Sequence, residues 1–231
     1  VIWPFGRRAL PPLDPAGHAR RAALIRQAAD LKQPLADMRW CVVDTETGGL
    51  DAHRDPLLSI GAVAIEHRRI ALDASLEVGL TQTQSTAAAN ILVHGISGSE
   101  QRAGRTQHEA LLDWLEFARN TPRVAFHAAF DQTVLQRMER EQLGISLAMP
   151  WFDAAVVAPL LFPDAAPHCR HLDDWLTHFG IAVYARHGAL ADAYATAELW
   201  LVLLEAAQRE RIATAHQLRN LLRARRWLLA N

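Results

Sequence analysis

An α/β fold is predicted by two features of the sequence: a mixed five-stranded sheet, three antiparallel strands then two parallel ones, flanked by helices. Three aliphatic runs come first, joined by short links, and amphipathic stretches then alternate with short apolar runs. Short links suit an antiparallel meander, whereas helices between strands suit parallel crossovers. The 231 residues, half of them apolar and 21% charged, are enough for one ordinary domain with appendages.

Prolines 4, 11, 12 and 15 make residues 1–16 an irregular arm, and "HARRAALIRQAADLKQPL" (18–35) carries apolar residues at helical spacing until Pro34. "WCVVDTE" reads as a buried strand followed by a glycine-rich turn, and "LLSIGAVAIE" and "RIALDASLEVGL" as two further strands. "TQHEALLDWLEFARN" is an amphipathic helix, "RVAFHA" a short strand, and "FDQTVLQRMEREQLG" a helix closed by Gly144. "MPWFD" is the last strand, followed by helices near 154–162 and 171–179. An alanine-rich helix, "GALADAYATAELWLVLLEAAQRER", and a basic amphipathic one, "AHQLRNLLRARRWLLAN", end the chain. The expected division is an arm and helix over 1–37, a catalytic-sized domain over 38–206, and a terminal helix over 207–231 that packs on the domain or meets a partner.

A net charge of −1 excludes a broadly basic surface, so contact with nucleic acid has to come from a local patch. Arginine supplies nearly all the positive charge, Lys32 being the only lysine. Two cysteines give no disulfide framework and suit a reducing, cytoplasmic setting. His168, Cys169 and His171 crowd three ligand types into "HCRH" with no fourth in view, so structural zinc is not expected. No apolar run approaches the roughly 20 residues of a membrane span, and the opening "VIWPFGRRALPPLDP" lacks the apolar core of a secretory signal. A start at Val1 rather than Met raises the expectation of a piece cut from a longer protein.

The chemistry rests on acids in apolar surroundings. Asp44 and Glu46 end the first buried strand two residues apart, hence on one face, where two carboxylates repel unless something positive sits between them. Asp131 follows the strand "RVAFHA", and Asp192 lies in the alanine-rich helix. Singly, Asp131 reads as a helix cap and Asp192 as a solvent-facing side chain. Together the four form a plausible cage for hard divalent cations, two of which, about 4 Å apart, can clamp the attacking and leaving oxygens of a phosphodiester. His187, five residues before Asp192, has the pKa of a general base near neutrality. Asp153, Asp173 and Asp174 sit where helices begin and complement the helix dipole instead.

"DTETGGL", "FHAAFD" and "HGALAD", in this order across about 150 residues, resemble the three motifs of the DEDDh branch of the DnaQ-like 3′–5′ exonucleases. That family has a ribonuclease H-like fold and includes the proofreading epsilon subunits of bacterial DNA polymerase III. The resemblance implies that Asp44, Glu46, Asp131 and Asp192 bind two Mg2+ or Mn2+ ions and that His187 is the general base. One ion would polarise the attacking water and the other stabilise the departing 3′ oxygen, releasing a nucleoside 5′-monophosphate. Thr47, His94 and Ile96, the latter two in "VHGIS", become candidate substrate contacts, and Leu50 an apolar wedge against the last bases, with aliphatic core the competing reading for Ile96 and Leu50. Gly48 stands where the first motif often has a second threonine, and Ala128 where the second often has asparagine after histidine; neither departure removes a metal ligand.

The expected substrate is the 3′ end of single-stranded or frayed nucleic acid, DNA in preference to RNA, with a polymerase or a fused domain as partner and no membrane. RNA 3′-end trimming, as by ribonuclease T or oligoribonuclease, and a nuclease-like binding module are the alternatives. The second alternative rests on Arg219, Arg223, Arg225 and Arg226 in the terminal helix.

Overall fold

The computed structural model describes residues 10–24, 29–82, 96–145, 147–183 and 188–230. Its five-stranded sheet has the order β3-β2-β1-β4-β5, with β1 Trp40–Thr47, β2 Leu57–Glu66, β3 Arg69–Gly79, β4 Arg123–Ala125 and β5 Trp151–Asp153. β1 pairs antiparallel with β2 and parallel with β4, and β5 continues the parallel half. The described helices are α1 Pro15–Leu24, α2 Gly98–Ala103, α3 Gln107–Ala118, α4 Ala129–Met138, α5 Ala154–Leu161, α6 Leu172–His178, α7 Ala189–Arg209 and α8 Ala215–Ala230.

Alternation along β1 divides the interior into two layers. Trp40 and Val42 face one side with Val63, Ile65, Phe152 and Trp200, whereas Cys41 and Val43 face the other with Ile60, Leu111, Trp114 and Leu135. Trp40 meets Phe152 and Trp200 edge-on, each at 5.2 Å between ring centroids. Both layers are closed by helices, α7 over the first and α3 with α4 over the second, as a sheet apolar on both faces requires.

Three local outcomes differ from the sequence reading. The first helix spans Pro15–Leu24 rather than reaching Pro34, and residues 31–37 form turns in which Pro34 bridges to Thr214. The strand "RVAFHA" stops at Ala125 because the next residues turn, His127 taking a left-handed φ of 62°. The helix after Asp131 loosens into a π-helical turn, Glu139–Leu143, before Gly144 closes it at φ 65°. In the second layer Arg123 and Glu139, both fully buried, form a 3.5 Å ion pair with the guanidinium over the Trp114 ring. Among the described residues no helix is long and apolar enough to cross a membrane.

Candidate active site

β4 is the shorter partner of β1. Its pairing covers only Cys41 and Val42, so β1 runs on through Asp44, Thr45 and Glu46 with β2 on one side and the start of α4 beyond β4 on the other. The acids thus stand at the carboxyl end of the central strand, the end at which open α/β sheets place their ligand sites.

Three of the predicted acids meet here. Asp44, Glu46 and Asp192 each offer a carboxylate oxygen, and these oxygens lie within 4.8 Å of one another. Asp192 arrives from the first turn of α7, where its amide donates to the Gly188 carbonyl at 2.9 Å. That turn can reach the strand because Asp44 pairs with Gly61 across the β1–β2 ladder. A Cβ at Gly61 would stand 2.1 Å from both the Ala189 carbonyl carbon and the Leu190 nitrogen, so only glycine admits the helix at this height.

Asp131 reaches the same strand end from the other layer. It is 4% exposed, and its Oδ1 accepts a 2.7 Å hydrogen bond from the Thr45 hydroxyl, which points away from Asp44 and Glu46. Burial pushes the Asp131 carboxyl up to about 7 against the pull of the Thr45 hydroxyl. Glu46 is likewise pushed up to about 7, by burial first and then by the negative charges of Asp192 and Asp131. Carboxyls that resist ionising for want of a counter-charge, arranged as hard oxygen donors, suit a divalent cation.

The remaining predicted residues separate. Thr47 and Leu50 are at the same end of β1: the Thr47 hydroxyl donates to the Gly49 carbonyl at 2.6 Å, and Leu50 is 94% exposed. The Ile96 carbonyl accepts from the Gln101 amide at 3.0 Å, just ahead of α2. His94 and His187 fall outside the described residues. Asp153 caps α5, accepting from Ala155 at 3.0 Å and from the His127 amide at 2.9 Å. Asp174 accepts the amides of Arg170 and His171 ahead of α6. Among the described residues the acids of β1 and α7 form the one group of three or more ligand-type side chains placed to hold a metal, and "HCRH" forms none. Thr45 and Gly61 were missed by the sequence reading, although a glycine inside an aliphatic strand is itself a sign of close backbone approach.

A family model described as Exonuclease (RNase_T) matches residues 41–200. A DNA polymerase III subunit epsilon-like protein of Rhodobacter capsulatus is 31% identical over 192 residues, covering 81% of this chain and 27% of that protein. A DNA polymerase III PolC-type protein of Thermotoga petrophila is 28% identical over 182 residues, 79% of this chain and 13% of that protein. The chain therefore spans less than a third of the length of either relative. E. coli Exonuclease I in complex with a dA16 oligonucleotide superposes with a TM-score of 0.65 at 16% identity, over 75% of this chain and 42% of that one. The ordered sheet and this likeness are those of the ribonuclease H-like fold. With its acids gathered at the end of β1 and its matched span running from that strand into α7, the chain belongs to the RNase_T exonuclease family, the DnaQ-like 3′–5′ exonucleases.

Proposed function

We propose that this chain removes nucleotides one at a time from the 3′ end of DNA by two-metal hydrolysis, with His187 as general base. The observation that carries the reading is the meeting of Asp44, Glu46 and Asp192 within 4.8 Å, with Asp131 close enough to disturb Glu46. Asp44, Glu46, Asp131 and Asp192 would hold two Mg2+ or Mn2+ ions, which would supply positive charge beside an attacking water and a departing 3′ oxygen. His187, in the segment leading to Asp192, takes the proton from that water. Thr47, His94 and Ile96 contact the terminal nucleotide, and Leu50 stands against the bases behind it. A loop that leaves β1 directly after Glu46 and Thr47 and leaves Leu50 94% exposed supports this last role.

The oligonucleotide in the Exonuclease I complex supports a single-stranded DNA substrate, and the relatives' names support a polymerase as the partner. Burial of Ala215 and Leu218 supports packing of the terminal helix on a domain of residues 38–206, in preference to a binding-module reading.

Matched 3′-labelled DNA and RNA oligonucleotides incubated with Mg2+ or Mn2+ test the proposal. Wild type releases labelled mononucleotide, faster from DNA. Asp44→Ala is nearly inactive, and His187→Ala loses roughly 10²–10⁴-fold, the span of a general base. Faster release from RNA would turn the assignment to RNA trimming, and wild type without release would end the exonuclease reading.

A further inference from the structure

The loop that carries Leu50 is tied by several hydrogen bonds. The Gly48 amide donates to the Pro56 carbonyl at 2.9 Å, and the Asp55 carboxylate accepts the Asp51 amide at 2.7 Å. Asp55 can fold in this far because Gly49 has no side chain: a Cβ there would stand 2.3 Å from the carboxylate. These bonds tie the loop to itself and to the ends of β1 and β2, but not to the helix that carries Asp131.

Arg137 supplies that connection. From α4, whose first turn provides Asp131, its guanidinium donates from Nε to the Ala52 carbonyl at 3.1 Å and from Nη2 to the Asp55 carbonyl at 2.5 Å. The arginine side chain is 14% exposed, and its carboxylate neighbour, Glu141, stands 3.7 Å away. A planar fork spanning two main-chain carbonyls sets both the distance and the orientation of the loop, which a lysine ammonium on one carbonyl cannot do.

We propose that Arg137 is a positioning residue that holds the Leu50 loop in register with the acids, so that one helix sets both a carboxylate and the apolar tip meeting the substrate's bases. The inference rests on the exonuclease reading above and adds a determinant of how the 3′ end is seated. Arg137 touches no substrate itself and acts through the loop.

The test compares wild type, Arg137→Gln, Arg137→Lys, Leu50→Ala and the double variant Arg137→Gln/Leu50→Ala. Each acts on single-stranded DNA and on the 4-nitrophenyl ester of thymidine 5′-monophosphate, which has no neighbouring base to seat. Arg137→Gln is expected to lower kcat/KM on DNA roughly tenfold, a size in keeping with misplacement remote from the chemistry, and to leave the aryl ester within about twofold. Arg137→Lys recovers part of the loss. In the Leu50→Ala background, Arg137→Gln costs little further. Equal losses on both substrates, additive losses in the double variant, or unchanged kcat/KM in Arg137→Gln would each overturn the proposal. If Arg137→Gln does not fold, Arg137→Lys is judged by the same two substrate ratios. Wild type inactive on both substrates would instead overturn the exonuclease reading.

Discussion

Thr45 sits between the two acids of β1 yet serves a third. Its side chain points into the opposite layer and donates to Asp131 at 2.7 Å. The hydroxyl lowers the Asp131 pKa against burial, so it favours the ionised form that a cation needs. Thr45→Val keeps the shape of a strand residue but removes the donor. The expected outcome is a Mn2+ requirement raised roughly 10–100-fold, the usual cost of losing a partner that orients a ligand. Thr45→Ser should restore most of the affinity. Activity followed across Mn2+ concentration checks both variants.

At the scale of elements, the site depends on how close α7 comes to the sheet. Gly61→Ala places a methyl against main-chain atoms at 2.1 Å, which cannot be relieved by turning a side chain. The first turn of α7 must lift, carrying Asp192 away from Asp44. A loss of about 1–3 kcal/mol in stability is expected from overpacking, together with weaker Mn2+ binding. Urea unfolding and Mn2+ titration measure the two effects, and a variant that kept wild-type cation affinity would show that α7 is not positioned by this contact. Strand and helix positions were largely legible, because aliphatic runs with polar links and apolar residues at helical spacing depend on local order. The acids were legible for a related reason, since Asp44 and Glu46 interrupt burial where sequence alone offers no compensation. What was not legible depends on partners far apart in the chain: the approach of Ala189 to Gly61, the Thr45–Asp131 bond, and the buried pair of Arg123 with Glu139. The early end of β4 is similar, because "RVAFHA" has strand composition throughout and only the turn at His127 cuts it short.

For the whole molecule, the strained electrostatics of the site link stability to pH. Glu46 and Asp131 have carboxyls pushed up to about 7 in the folded chain, above the ordinary range they regain on unfolding. Between that range and about 7 the folded state therefore holds protons that the unfolded chain releases. Their contribution to stability is complete at low pH and is lost as pH rises through about 7. Without divalent cations the melting temperature should thus fall between pH 5 and 8, once other titrating groups are matched by an Asp131→Asn, Glu46→Gln control. Added Mn2+ should reverse the trend, because a divalent cation is held by ionised carboxylates and its affinity grows as their protons leave. Thermal melts at several pH values, with EDTA or with Mn2+, check the sign.

The most direct test of a cation-bearing exonuclease site is the rate of 3′-nucleotide release across Mn2+ concentration, for wild type and Glu46→Gln side by side. Saturable release by wild type, abolished by EDTA, with a markedly raised Mn2+ requirement or no release in Glu46→Gln, is the predicted result. Release that ignores EDTA, or the same Mn2+ dependence in both proteins, would contradict the account.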